Sequence, residues 1–209
     1  IQTDFVPVLE EWSQTVMRDK SSLTELTKRV LTEVLTVGRV GLLLDRTEDG
    51  SSPYIALYKT QDIVNWDTDN DRLVRVVLKE NTIVKRERSG RTVQEIVPRY
   101  RELYISEEGK YEVGIWLMGG DDKYILSEVI TPRNAGASLD YIPFQFINSD
   151  SVSVNTSKPP LLDLASLNIA HYRNSADYEQ LLHRVGVAAT FFASGLTQEE
   201  ADDPNNLAV

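Results

Sequence analysis

Apolar residues recur along this chain with two different periods, which separate helical stretches from a β-rich stretch. Between Ser22 and Gly38 they recur every three or four positions, which predicts an amphipathic helix. Ser22 followed by Glu25 is a capping-box pattern, and glycine commonly closes a helix in the left-handed conformation. We therefore expect this helix to begin after Ser22 and to end at Gly38. A smaller apolar patch within residues 1–20 predicts a short helix interrupted near Pro7.

Between Asp49 and Val154 the pattern changes to short runs rich in Val, Ile and Tyr, separated by clusters of turn residues. This spacing predicts antiparallel strands joined by hairpins. In the run from Leu73 to Leu78, Val74, Val76 and Leu78 alternate with Arg75 and Val77, so one face of that strand is expected to be buried and the other partly exposed to water. The predicted strands are Arg39 to Asp45, Tyr54 to Tyr58, Leu73 to Asn81, Val97 to Ser106, Tyr111 to Met118, Tyr124 to Ile130, Pro143 to Ile147 and Ala188 to Ala193.

The stretch from Lys158 to Gly186 predicts one long helix. Pro159 and Pro160 lack backbone donors and are tolerated only in a first turn, so the helix is expected to begin at about Pro160. Gly186 is expected to close it as a left-handed cap. A polar centre indicates either a kink or contact with a polar partner surface. It interrupts an apolar stripe made of Leu161, Leu164, Leu167 or Asn168, Tyr172, Tyr178, Leu181, Leu182 and Val185.

These elements predict an α+β fold, in which an antiparallel β-sheet meander is flanked by two long helices. We expect one domain over residues 1–209, with a flexible tail at 197–209. The net charge of −10 argues against a surface that grips nucleic acid, because phosphate binding needs clustered Lys and Arg. The chain has no cysteine, no run of 18 apolar residues and no signal-peptide pattern. Its first residue, Ile1, suggests a piece of a longer protein.

Three groups of residues are candidates for chemistry. Asp67, Asp69 and Asp71 resemble the start of a calcium loop, but Arg72 and Leu78 replace the glycine and the glutamate that such a loop needs. A solvated hairpin loop is therefore the favoured interpretation.

The other two groups are also interpreted without a metal-binding or phosphate-binding role. His171 and His183 lie about three helical turns apart, too far to share a metal. The third group is a basic cluster, for which a solvated hairpin tip is favoured over a phosphate-binding site. It comprises Lys85, Arg86, Arg88 and Arg91. No nucleophile elbow, P-loop or dinucleotide-binding motif is present, and Ser194 before Gly195 is a turn pattern. We expect no enzyme activity, no cofactor and no metal.

Several segments, in order from about Leu23 to Gly195, resemble an uncharacterised family of tailed-bacteriophage proteins that is similar to phage portal proteins. The most specific segment is the sequence around Asn168 to Arg173. The segments are Gly38 to Asp45, Pro53 to Ile55, Ile63 to Trp66, Val77 to Glu80, Ile142 to Phe144, Pro159 to Ala165, Asn168 to Arg173 and Ser175 to Tyr178.

The resemblance implies the wing region of a subunit that forms a ring, a dodecamer in the full-length protein. The ring would lie at one vertex of the virion's capsid and would be assembled in the host cytoplasm. Its protein partners would be further copies of itself, the packaging ATPase, and capsid and head-completion proteins. Viral DNA would pass through the channel without specific binding, and no membrane is expected to be involved. The alternative is a head-tail adaptor or minor capsid protein that binds the portal. We expect Asn168, His171, Arg173 and Asp177 to face a neighbouring segment or subunit rather than a substrate.

Overall fold

The structure, a computed structural model, describes residues 7–46, 52–88, 91–119, 123–134 and 136–186. Val8, Lys85, Arg86, Arg88 and Arg91 are described by their backbone alone. The chain divides into two compact units, Ile1–Leu162 and Asp163–Val209. The mixture of helices and antiparallel sheets confirms the predicted α+β class. The predicted strand Ala188 to Ala193, Ser194 with Gly195, and the tail 197–209 lie outside the described residues.

Two helices precede the sheets. The first, α1 (Pro7–Ser13), begins at Pro7, near which the sequence predicts an interruption, and residues 1–6 lie outside the described part of the chain. The second, α2 (Leu23–Val37), has the predicted ends. The Ser22 hydroxyl accepts a hydrogen bond from the backbone N–H of Glu25 at 3.4 Å. Gly38 has a φ of 91° and donates its N–H to the carbonyls of Glu33 and Val34. Both the capping and the glycine stop are therefore confirmed.

The strands form two main antiparallel sheets. The strand bounds are β1 (Arg39–Arg46), β2 (Pro53–Lys59), β3 (Ile63–Asp69), β4 (Arg72–Arg88), β5 (Arg91–Ile105), β6 (Tyr111–Met118), β7 (Tyr124–Ile130), β8 (Arg133–Asn134), β9 (Ala137–Ser138) and β10 (Phe144–Asn148). One sheet has three strands in the order β10-β1-β2, the other has five in the order β3-β4-β5-β6-β7, and β8 pairs with β9. A short 3₁₀ turn, Thr60–Asp62, leads from the first sheet into the second.

A single apolar layer joins the two main sheets. Val76 and Leu78 point into it from β4, as the alternation around them predicts. Because both sheets contribute to this cluster, neither sheet can bury its apolar face alone. Its buried members are Leu43, Tyr58, Ile63, Val76, Leu78, Leu103, Tyr111, Val113, Ile142, Phe144 and Phe146.

The two main sheets differ from the prediction in three ways, and the small β8–β9 pair was not predicted. Strand β10 pairs with β1 across about a hundred residues, so β1, β2 and β10 form a sheet separate from the meander. Strand β3 was not predicted, because Asn65, Asp67 and Asp69 are poor strand formers. Strands β4 and β5 are longer than predicted and pair as far as Arg88 with Arg91. The extension was not predicted because its polar residues break the apolar pattern that indicates a strand. A two-stranded ribbon can form without such a pattern, since it need not bury a face.

The second unit begins with α3 (Leu162–Gly186), an unbroken α-helix of 25 residues. It starts two residues later than predicted, and the N–H of Leu162 is donated to the carbonyl of Pro159 at 3.1 Å. The prediction of a left-handed cap at Gly186 is wrong: this residue keeps a negative φ inside the helix. Gly186 is the last residue of α3 that the structure describes.

We predict that Gly41→Ala destabilises the chain. An added Cβ would overlap the ring of Phe144 and lie 2.9 Å from Ile63 Cδ1, inside the shared apolar layer. Overpacking of this kind costs about 1–3 kcal/mol of unfolding free energy, which urea denaturation measures. Gly186→Ala is the control, because a Cβ there meets no atom within 4 Å. Equal stability of the two variants would contradict the close packing at Gly41.

Candidate functional site

The four residues predicted to make contacts lie within α3 and are exposed. Successive residues of a helix are about 100° apart around its axis, which fixes their directions. His171 lies in line with Leu164, Leu167, Tyr178 and Leu181, whereas Asn168 and Asp177 border this line on opposite sides. Arg173 points away from it. A single partner lying along this line would therefore reach three of the four residues and leave Arg173 outside.

The apolar side chains of α3 are also exposed. Those in line with His171, namely Leu164, Leu167, Tyr178, Leu181 and Val185, are between 59 and 82 % exposed, and no described residue of α3 is buried. Tyr172, predicted as part of the apolar stripe, lies well away from it around the helix. A regular apolar line on an exposed helix is typical of a surface that another segment covers.

The densest group of charges lies between the two sheets. Arg101 on β5 contacts Asp45 on β1, with 2.7 Å between Nη1 and Oδ2, and it lies 3.7 Å from Glu80 on β4. Arg99 pairs with the other oxygen of Glu80 at 2.7 Å. The hydroxyl of Tyr58 on β2 donates to Glu80 at 2.5 Å. We call these five residues the inter-sheet charge cluster.

Burial and charge act against each other in this cluster. Burial alone would raise the pKa of Asp45, but the hydrogen bond and charge of Arg101 outweigh it and hold that pKa below its usual range. Burial, reinforced by the charge of Glu80, raises the pKa of Tyr58. Burial alone would lower the pKa of Arg101, but the hydrogen bond and charge of Asp45, together with the charges of Tyr58 and Glu80, raise it. The carboxylates of Asp45 and Glu80 are thus engaged by arginines, whereas Nε of Arg101 is buried without a hydrogen-bond partner among the described residues.

A second buried cation joins the sheets through aromatic rings. Arg39 is 3 % exposed, and its Cζ lies 3.6 Å from the ring centre of Phe146 and 4.3 Å from that of Trp66. Its Nη2 donates to the carbonyl of Val154 at 2.9 Å. Burial lowers the pKa of Arg39. The aromatic faces supply a favourable environment for a cation that is otherwise costly to bury.

The acidic residues of the calcium-like motif are in a hairpin, as the favoured interpretation predicts. Asp67 and Asp69 belong to β3, and Asp67 lies 3.7 Å from Arg75 on β4. Asn70 and Asp71 have φ values of 48° and 62°, which make the tight turn between the strands. Among the described residues, no three His, Asp or Glu side chains are grouped to hold a metal ion.

Other surfaces offer less defined chemistry. An open cleft of about 910 Å³ is lined by polar residues at the turn between β5 and β6, among them Glu107, Glu108 and Lys110. Beside it, burial and a hydrogen bond to Glu112 raise the pKa of Tyr104 to about 12. The side chains of the predicted basic cluster lie outside the described part of the chain. No helix in the described ranges is both long and apolar enough to cross a membrane.

Comparison with known proteins bears on the second unit. Residues 160–209 match a family described as a domain of unknown function, DUF4055. The matched stretch includes all of α3 and is less than half of the chain. No curated protein matches the chain.

Sequence reasoning missed the inter-sheet charge cluster. Its members lie in different strands, with 56 residues between Asp45 and Arg101 along the chain. The sequence feature that could have indicated the cluster is a charged residue at the end of an apolar strand, such as Asp45 after three leucines. That signal does not identify the partner, because pairing depends on which strands the fold brings together.

We predict that Asp45→Asn flattens the acid limb of the stability curve. The folded-state pKa of Asp45 is depressed below 3.8, so its stabilisation is present above that value and is lost as pH falls through the folded pKa. The wild-type unfolding free energy should therefore fall more steeply below pH of about 4 than that of the variant. Urea titrations at several pH values measure both slopes. Asp150→Asn, on an exposed turn, should keep the wild-type slope; parallel curves for wild type and Asp45→Asn would refute the role of the pair.

Proposed function

We propose that this chain is the wing-like part of a phage portal subunit, a structural protein of the capsid vertex through which the genome is packaged and ejected. The observation that carries the proposal is the resemblance along Pro159 to Tyr178. In the structure this segment leads into α3 and forms its first two thirds, where the apolar side chains are exposed. A helix of this kind suits a subunit whose neighbours complete it.

The β-rich unit suits the body of such a subunit. Its two sheets are joined by the shared apolar layer, by the inter-sheet charge cluster and by Arg39 between Phe146 and Trp66. These contacts cross from one sheet to the other, so they resist sliding of the sheets. A body that keeps its shape can hold contact surfaces at fixed angles, as closure of a ring requires.

The net charge also fits a channel component. At −10 the chain repels phosphate, so passing viral DNA would meet a wall that does not retain it. The proposed partners are further copies of the chain, the packaging ATPase, and capsid and head-completion proteins. The proposal includes no catalytic step. The inter-sheet charge cluster supports this, because its carboxylates are engaged by Arg99 and Arg101.

Imaging of the full-length protein by negative stain, together with light scattering, tests this proposal. We expect closed rings, usually of about twelve subunits, because contacts between two different patches of each subunit close into rings. Both methods should be applied at low and high salt, since screening reduces repulsion between acidic subunits. A protein that stays monomeric under every condition contradicts the proposal. A protein that forms no ring itself but binds isolated portal rings would identify the adaptor instead.

A further inference from the structure

The exposed line on α3 follows a regular heptad pattern. Its members are spaced alternately by three and four residues, which is the spacing that lets two helices pack along a common line. We call these seven residues the α3 seam: Leu164, Leu167, His171, Asn174, Tyr178, Leu181 and Val185. In the heptad nomenclature, Leu164, His171, Tyr178 and Val185 occupy the a positions. Leu167, Asn174 and Leu181 occupy the d positions.

The two polar members lie in the middle of the α3 seam. His171 and Asn174 have apolar members on both sides. The order of apolar and polar members is therefore nearly the same in either direction along the helix. An apolar partner stripe would leave these two groups buried without hydrogen-bond partners, which is costly. The best partner therefore has polar groups at its own centre and apolar groups toward both ends.

A second copy of α3 running in the opposite direction has this arrangement. In antiparallel pairing an a position meets a d position, so Leu164 meets Leu181 of the second copy and Leu167 meets its Tyr178. In the same register His171 meets Asn174 of the second copy, and the imidazole and amide can donate and accept hydrogen bonds. Each of these contacts occurs twice by symmetry. Every apolar member within this span thus meets an apolar one.

The charges beside the α3 seam agree with the same register. Asp163 and Arg184 both occupy g positions, which meet each other across an antiparallel pair. The register that joins Leu164 to Leu181 brings Asp163 of one copy next to Arg184 of the other, at both ends. Asp177 in turn lies opposite Ala170 rather than another acid. The register therefore places no like charges opposite each other at these positions.

We propose that the α3 seam binds the α3 seam of a second copy in the antiparallel register, so that the chain forms a two-fold pair in solution. This contact differs from the contact that closes a ring, which joins two different patches. Both proposals use the exposed apolar side chains of α3, but the pairing does not require the chain to form a ring.

Sedimentation of the whole chain over a range of concentrations tests the pair. We expect a reversible monomer–dimer equilibrium that Leu167→Glu weakens by at least about tenfold, because each pair loses two buried leucines. Ile169→Glu is the matched control: Ile169 is 52 % exposed on the same helix but lies away from the α3 seam, and this change should alter the affinity by less than about twofold. Replacing both His171 and Asn174 by Leu should tighten association, since polar seam positions cost stability.

The direction of the pair can be read from cross-links, because the chain contains no cysteine of its own. A Leu164→Cys chain mixed with a Leu181→Cys chain should form a mixed disulfide, whereas Leu164→Cys alone should not. Disulfides require Cα atoms about 4.4–6.8 Å apart, and only the antiparallel register brings positions 164 and 181 that close.

Three results would overturn the proposal: a chain that remains monomeric, a Leu164→Cys chain that cross-links to itself, and an assembly that Leu167→Glu leaves intact. Imaging of the Leu167→Glu variant separates this inference from the portal proposal. Rings that persist without the pair would leave the portal proposal standing, and a pair without rings would leave the α3 inference standing.

Discussion

Two antiparallel sheets share one layer of apolar side chains, and the β-rich unit depends on that layer being filled. Phe144 and Phe146 enter it from β10, and Val76 and Leu78 enter it from β4. The layer is tight enough that Gly41 has no room for a Cβ. Two buried or half-buried arginines lie beside it: Arg101 is paired with Asp45, and Arg39 lies against the rings of Phe146 and Trp66. Packing therefore decides where polar groups can lie.

In the second unit the apolar side chains of α3 are exposed rather than buried. Its described helix α3 has apolar residues at regular spacing, yet none of its described residues is buried. Isolated helices gain little from propensity alone, so a helix of this kind is stabilised mainly by what covers its apolar face. A partner that matches the polar centre as well as the apolar ends is a second α3. This reasoning connects the sequence pattern to assembly without any catalytic group.

The sequence predicted local features well and long-range pairing poorly. Both ends of α2 were correct because Ser22 and Gly38 act on adjacent backbone groups. Most strands were found from their Val, Ile and Tyr content, but the pairing of β10 with β1 depends on tertiary packing that no local pattern records. The sequence predicts a left-handed cap at Gly186, whereas the structure has this glycine within the helix. On α3 the contacts of Asn168, His171, Arg173 and Asp177 stay a prediction, and their directions required the helix geometry, which turns Arg173 away from the α3 seam.

The central claim is that α3 is stabilised by contact with another copy. Amide hydrogen exchange of the whole chain, measured at increasing protein concentration, tests it most directly. The account predicts that protection of the α3 amides rises with concentration while protection in β4 and β5 stays constant. Protection of α3 that is the same at every concentration would contradict the account, because it would mean that contacts within one chain stabilise the helix.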